Sequence, residues 1–224
     1  MRNCEGDRTK IVVGLGNPGR QYAGTRHNVG FEVIEVLRER LALGKGRKAF
    51  EGVLTEWRLG GPGEARGPQT QCAAFGEPGR VWLLQPHTFM NLSGRSASQA
   101  CAFYKVPPAD VLVVLDDLAL PLGQVRARAR GSAGGHNGLS DVLAALGTDQ
   151  VPRLRIGIGA PPSVMEAKDY VLGAFSSGER AAMAESLLRA ADAVEDWARH
   201  GIAFVMNRYN PKAKEEPPKA ESGT

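Results

Sequence analysis

Strands and helices alternate along this chain, and the alternation starts at once. Lys10-Ile11-Val12-Val13-Gly14 is a β-branched run that feeds a glycine-rich turn, and Val29, Val33, Val36, Leu37 and Leu41 then recur at helical spacing. Asn28 stands where a helix N-cap belongs and Gly44 where a stop belongs. Residues 50–59 and 81–85 read as strands, joined by the Gly/Pro-rich connection GGPGEARGPQT at 60–70, a surface loop. A helix is predicted over Ser93–Tyr104, and an apolar strand over Val111–Leu115 delivers Asp116 and Asp117 at its carboxyl end.

Further along, Gln124–Arg130 alternates strictly, with Arg126, Arg128 and Arg130 on one face and Val125, Ala127 and Ala129 on the other. The loop GSAGGHNG leads into a helix from about Leu139 to Leu146, followed by a strand over Leu154–Ile158. Ser176 and Glu179 make a capping-box pattern opening a helix that is predicted to run to about His200 and stop at Gly201. This order predicts an α/β fold: one three-layer domain, a mixed twisted sheet flanked by helices on both faces. The domain is expected to span 10–210, after a flexible lead at 1–9 and before a polar, proline-rich tail at 211–224 that reads as disordered.

Bulk properties exclude several classes. At 224 residues with 42% hydrophobic content the chain can bury a substantial core. No stretch approaches the roughly 20 apolar residues that cross a bilayer, and MRNCEGDRTK has no signal-like apolar segment, which predicts a cytoplasmic protein. Cys4, Cys72 and Cys101 are odd in number and widely separated, so they suggest no disulfide framework. The net charge of +4 is modest, but from residue 118 to 160 only Asp141 and Asp149 oppose Arg126, Arg128, Arg130, Arg153 and Arg155. Such a local positive surface suits a phosphate-bearing partner.

Gly14-x-Gly16-x-x-Gly19 formally matches the dinucleotide-binding fingerprint, yet Pro18, Tyr22 and Gly24 interrupt before any helical period begins. That fingerprint needs the helix to open within the glycines, so nicotinamide or flavin binding is not expected. The four histidines, at 27, 87, 136 and 200, show no metal-ligand spacing along the chain. What remains is a set of polar residues in turn-rich, aperiodic settings: His27, Asn17, Asn91 in TFMNLSG, Asp116 in VVLDD and Asn137 in GGHNG. A histidine, an aspartate and several carboxamides are the parts of a hydrolase that activates water rather than using its own nucleophile.

Five segments in order, VVGLGNPGRQYAGTRHNVGF, QPHTFMNLSG, VLDDLALPLG, GSAGGHNG and RLRIGIGAP, resemble the bacterial-type peptidyl-tRNA hydrolase family. The resemblance implies hydrolysis of the ester joining a peptide to the 3′-terminal ribose of tRNA, by a monomer needing no metal or organic cofactor. It implies His27 as general base and Asp116 as its partner. Asn17 and Asn91 would contact the peptide and terminal nucleotide, and Asn137 would help hold water and the glycine-rich gate. Tyr22 and Met90 would line the path of the acceptor end, and Arg128 and Arg155 would clamp the tRNA 5′-phosphate. The chain departs from the family at Leu115 and Ala119, where relatives commonly carry a histidine and an aspartate. Two other functions stand beside this one: an RNA-binding protein without catalysis, and a metal-free esterase acting on small molecules.

Overall fold

The computed structural model describes residues 9–60 and 79–211. In chain order its elements are β1 (Thr9–Gly14), α1 (Val29–Arg40), β2 (Arg47–Ala49), β3 (Gly52–Arg58), β4 (Arg80–Pro86), α2 (Ser93–Tyr104), β5 (Val111–Asp117), β6 (Val125–Arg128), α3 (Asn137–Leu146), β7 (Arg153–Gly157), α4 (Ala167–Leu172) and α5 (Ser177–Tyr209). The strands form one seven-stranded sheet in the order β2-β3-β4-β1-β5-β7-β6. The central four, β4, β1, β5 and β7, are parallel, while β2, β3 and β6 run antiparallel to their neighbours. The expected mixed sheet with helices on both faces is borne out. Short β2 and the six-residue helix α4 had no predicted counterpart, since neither is long enough to carry a readable hydrophobic period. The predicted loop at 60–70, the lead at 1–9 and the tail at 211–224 lie outside the described residues, apart from Gly60, Thr9 and Pro211.

Strand periodicity sorts the core into two halves. Val12, Leu112 and Val114 pack on one face of the sheet with the apolar sides of α1 and α5, including Val33, Leu37, Ala190 and Trp197. Ile11, Val13, Val113 and Leu115 pack on the other with α2 and α3, including Ala97, Ala100, Leu139 and Val142. Adjacent parallel strands β1 and β5 thus stand between helices on opposite faces, an arrangement that opens a crevice beyond their carboxyl ends. Gly30 lets α1 approach that crevice. A Cβ there would lie 2.5 Å from the Leu15 backbone N and O and from the Val114 carbonyl oxygen, so the first turn of α1 sits directly on the strand ends.

The last helix differs from expectation. Its capping box is present, with Ser176 accepting from the Glu179 N–H and the Glu179 carboxylate accepting from the Ser176 N–H. Gly201, however, breaks the helix without ending it: its φ of 79° makes a kink, and helical residues continue to Tyr209. The kink is supported from the sheet. Buried Lys10 donates to the carbonyls of Trp197 (3.0 Å) and Ala198 (2.8 Å), whose helical partners four residues on fall at the break. Beyond it, Asn210 pairs with the outer backbone of β6: the Ala127 N–H donates to its Oδ1 (2.7 Å) and its Nδ2 donates to the Ala127 carbonyl (3.1 Å).

Replacing Gly30 by alanine forces α1 away from the strand ends. We expect Gly30→Ala to lose about 1–3 kcal/mol in urea unfolding, the usual range for overpacking a close contact. It should also displace His27, which lies immediately before that turn.

Candidate active site

The residues preceding α1 do not begin the helix early. They form two 3-10 turns, Arg20–Tyr22 and Arg26–Asn28, and the second presents His27 over the end of β5. Asn28 does not cap α1 with its side chain as the sequence suggested. Its carboxamide is instead matched to the buried peptide of Asn17, accepting from the Asn17 N–H (2.9 Å) and donating to the Asn17 carbonyl (3.0 Å). A carboxamide offers the same donor and acceptor as a peptide group, so Asn28 satisfies a loop backbone that no strand reaches. The Asn17 side chain is fixed in turn, its Oδ1 accepting from the Met90 N–H at 2.8 Å. Its Nδ2 carries no hydrogen bond within the described residues and remains available to the cleft that Asn17 lines.

Asp116 is the buried centre. It shares strand parity with Leu112 and Val114 and so faces the side of the sheet on which α1 lies. Its carboxylate lies 2.8 and 3.0 Å from His27 Nδ1, with side-chain exposures of 2% for the acid and 12% for the imidazole. A second imidazole meets the same group: His136 Nε2 is 3.0 Å from Asp116 Oδ1. His136 is the N-cap of α3, and its Nδ1 accepts from the Leu139 N–H at 3.2 Å. That cap bond leaves the ring proton on Nε2, so His136 donates to Asp116. Burial pushes the Asp116 carboxyl up, but the charge and hydrogen bonds of His136 and then of His27 outweigh it and hold the group well below the usual carboxylate range. With Nδ1 of His27 donating to the carboxylate, its Nε2 is left with a free lone pair.

Two of the four histidines therefore meet in space although their chain spacing gave no sign of it; their ring centroids are 4.9 Å apart. The donor atoms of His27, Asp116 and His136 also lie within 4.8 Å of one another, close enough for a metal. The tautomer of His136 argues against that use, because its Nε2 could bind an ion only by giving up the helix cap. His136 is the main residue that sequence reasoning missed. In GGHNG the sequence points to Asn137 and not to the histidine beside it.

All nine residues proposed from sequence line one cleft of about 1100 Å³. Tyr22 is half-buried, while Asn91 and Asn137 are exposed. Met90 is 5% exposed and packs in the α2–α3 half of the core, showing only an edge to the cleft. Exposed Phe89, not anticipated, lies beside it. Of the arginines, Arg128 is exposed on edge strand β6, whereas Arg155 is half-buried and its Nε donates to the carboxylate of Asp117. Asp117 thus points away from the histidines, as strand alternation required, and also accepts from the Ala119 N–H at 2.8 Å. Arg153 is a buried support. Its Nη1 donates to the carbonyls of Gly131 (2.6 Å) and Ser132 (3.2 Å), its Nε to Val151 (2.8 Å), so it ties β7 to the glycine-rich loop. Leu115 is buried with the α2–α3 core and Ala119 is exposed at the rim.

The sequence model of the family described as peptidyl-tRNA hydrolase matches residues 11–218. The chain belongs to the peptidyl-tRNA hydrolase family. A peptidyl-tRNA hydrolase of Symbiobacterium thermophilum is 47% identical over 201 residues, covering 90% of this chain and 98% of that protein. One from Chloroflexus aurantiacus is 46% identical over 202 residues, covering 90% and 98%. Among solved structures, the crystal structure of peptidyl-tRNA hydrolase from Acinetobacter baumannii superposes with a TM-score of 0.77 at 32% identity, covering 91% of this chain and 95% of that one. Membership of the peptidyl-tRNA hydrolase family makes the chain a hydrolase of the ester bond of peptidyl-tRNA.

The lowered pKa of Asp116 sets a pH dependence for stability. A carboxyl held lower in the folded than in the unfolded chain stabilises the fold fully above its unfolded value, about 3.9, and that contribution is lost as pH falls through the folded value. Thermal melts of wild type and Asp116→Asn should therefore differ most at neutral pH and converge on acidification below about pH 4.

Proposed function

We propose that His27 is the general base of the hydrolysis, taking a proton from water at Nε2 while Asp116 holds the ring through Nδ1. The single observation that carries this reading is the contact of His27 with a carboxylate that is both buried and doubly hydrogen-bonded. A carboxylate so placed orients the imidazole, fixes its tautomer and stabilises the imidazolium formed as water attacks, which is the logic of a catalytic triad without the serine. The ester then needs only the activated water, and the proton returned from His27 assists departure of the ribose oxygen. His136 shares the negative charge and keeps Asp116 ionised, so it acts through the acid rather than on the substrate.

The Nδ2 of Asn17 is suited to donate to the substrate carbonyl as charge develops there, a role worth about 10²–10³ in rate. Asn91 and Asn137 line the same cleft and present carboxamides to the peptide, the terminal nucleotide and water. A peptide amide suits such neutral partners, whereas the free α-ammonium of an aminoacyl-tRNA would be costly to dehydrate there. Tyr22 offers a ring for stacking on a base of the acceptor end, with Met90 as the floor beside it. Arg128, exposed and without an acidic partner in the described residues, is the stronger half of the phosphate clamp; the charge of Arg155 is already shared with Asp117. The same reading makes 10–210 the hydrolase domain of a cytoplasmic monomer. No helix of the described residues is long and apolar enough to cross a membrane.

The decisive assay is release of N-acetyl-amino acid from acylated tRNA in the presence of chelator. His27→Ala should lose about 10²–10⁴-fold in turnover, the contribution typical of a positioned base; undiminished turnover in a folded His27→Ala would reject the assignment. Arg128→Ala should weaken tRNA binding and reduce the steepness of its salt dependence by about one unit in the log–log slope. An unchanged slope would remove Arg128 from the clamp.

A further inference from the structure

The residue before His27 makes a second charged contact, on the side turned to a separate cavity of about 530 Å³. Arg26 is buried, and its Nη2 donates to both carboxylate oxygens of Glu179, at 3.1 and 3.0 Å. Its Nη1 donates to the Ala174 carbonyl (2.8 Å) and its backbone N–H to the Gly173 carbonyl (3.1 Å), while Thr25 forms an isolated β-bridge with Ala174. The guanidinium lies over the Tyr170 ring, 4.2 Å from its centroid, and within 5.1 Å of that of Phe175. Its Nε has no acceptor among the described residues, so stacking and the two Nη groups define its position.

Every one of these partners lies between Tyr170 and Glu179, the stretch from the end of α4 into the first turn of α5. Helix α4 supplies Ala167, Lys168, Val171 and Leu172 to the wall of the catalytic cleft. Glu179 is itself locked by the capping box with Ser176. A partly buried ion pair adds little net stability, because the dehydration of its buried charge offsets the attraction. What a planar guanidinium supplies, with one Nη on a carboxylate, the other on a backbone carbonyl and rings above it, is a fixed geometry.

We propose that Arg26 and Glu179 form a positioning pair that registers the His27 turn against the α4 wall, setting the base and the bound ester in reactive geometry. The inference rests on the reading of His27 as base. Neither residue touches substrate; both act through the backbone that carries His27.

The test compares Arg26→Lys, which keeps the charge but loses the planar guanidinium that reaches Glu179 and Ala174 together, with Glu179→Gln, which retains an amide oxygen for the Ser176 N–H. Steady-state hydrolysis of N-acetyl-aminoacyl-tRNA, thermal melts and NMR signals of the His27 ring are measured alongside a His27→Ala control. Misplacing a reacting group by about 1 Å can lower a rate about 10²-fold. We expect kcat to fall about tenfold to hundredfold in both variants, with KM nearly constant, little change in melting temperature and broadened or shifted His27 signals. Unchanged kcat in both variants, a loss confined to KM, or a kcat loss that tracks the fraction unfolded would overturn the positioning role while leaving the base assignment standing. Full turnover in His27→Ala would overturn the base assignment, and the positioning pair with it.

Discussion

A single buried carboxylate organises the functional end of this molecule. Asp116 emerges from a parallel strand whose preceding residues are all apolar, so its charge has no solvent to rely on. Two imidazole N–H groups take the place of water, one from the turn before α1 and one from the cap of α3. An ionised carboxylate at this depth would otherwise be strongly disfavoured. The need to satisfy it pulls together segments 89 and 20 residues away in the chain, from opposite faces of the sheet.

The framework of this arrangement was legible in the sequence because it rests on local patterns. The helix at Ser93–Tyr104, the strand ending at the two aspartates and the Ser176 capping box all depend on periodicity or on contacts within one turn. Asp116 and Asp117 were separable in advance, since neighbouring residues on a strand face opposite ways. The role of His136 was not legible, because it needs the distance between the α3 cap and the end of β5, which no local pattern encodes. Asn28 misled for a related reason. Its position before a helical period suggests a cap, but the unmet peptide of Asn17 is a stronger claim on its side chain, and only the folded loop reveals that peptide.

The arginines divide by environment rather than by spacing. Arg126, Arg128 and Arg130 alternate in sequence as a single face, and Arg153 and Arg155 as another, yet each has a different task in the fold. Arg153 is buried and directs its donors to carbonyls of Val151 and the glycine-rich loop, where burial lowers its pKa and the backbone oxygens occupy its nitrogens. Arg155 leans on Asp117. Exposed Arg128 and Arg130 line the cleft without an acidic partner among the described residues. A basic stretch in a sequence is thus partly internal scaffolding, and counting its charges overstates what it can offer to phosphate.

The pairing of Asn210 with Ala127 has a consequence for biosynthesis. Strand β6 is the outermost strand on its side of the sheet, and its free backbone groups would invite a foreign strand to add on. Here the seal is a carboxamide encoded 83 residues later. Until the ribosome has added and released that asparagine, the border of the sheet bearing Arg128 stays raw. The protein's own translation therefore passes through an interval in which this margin of the sheet is open to strand addition, and the kinked final helix is what brings that interval to an end.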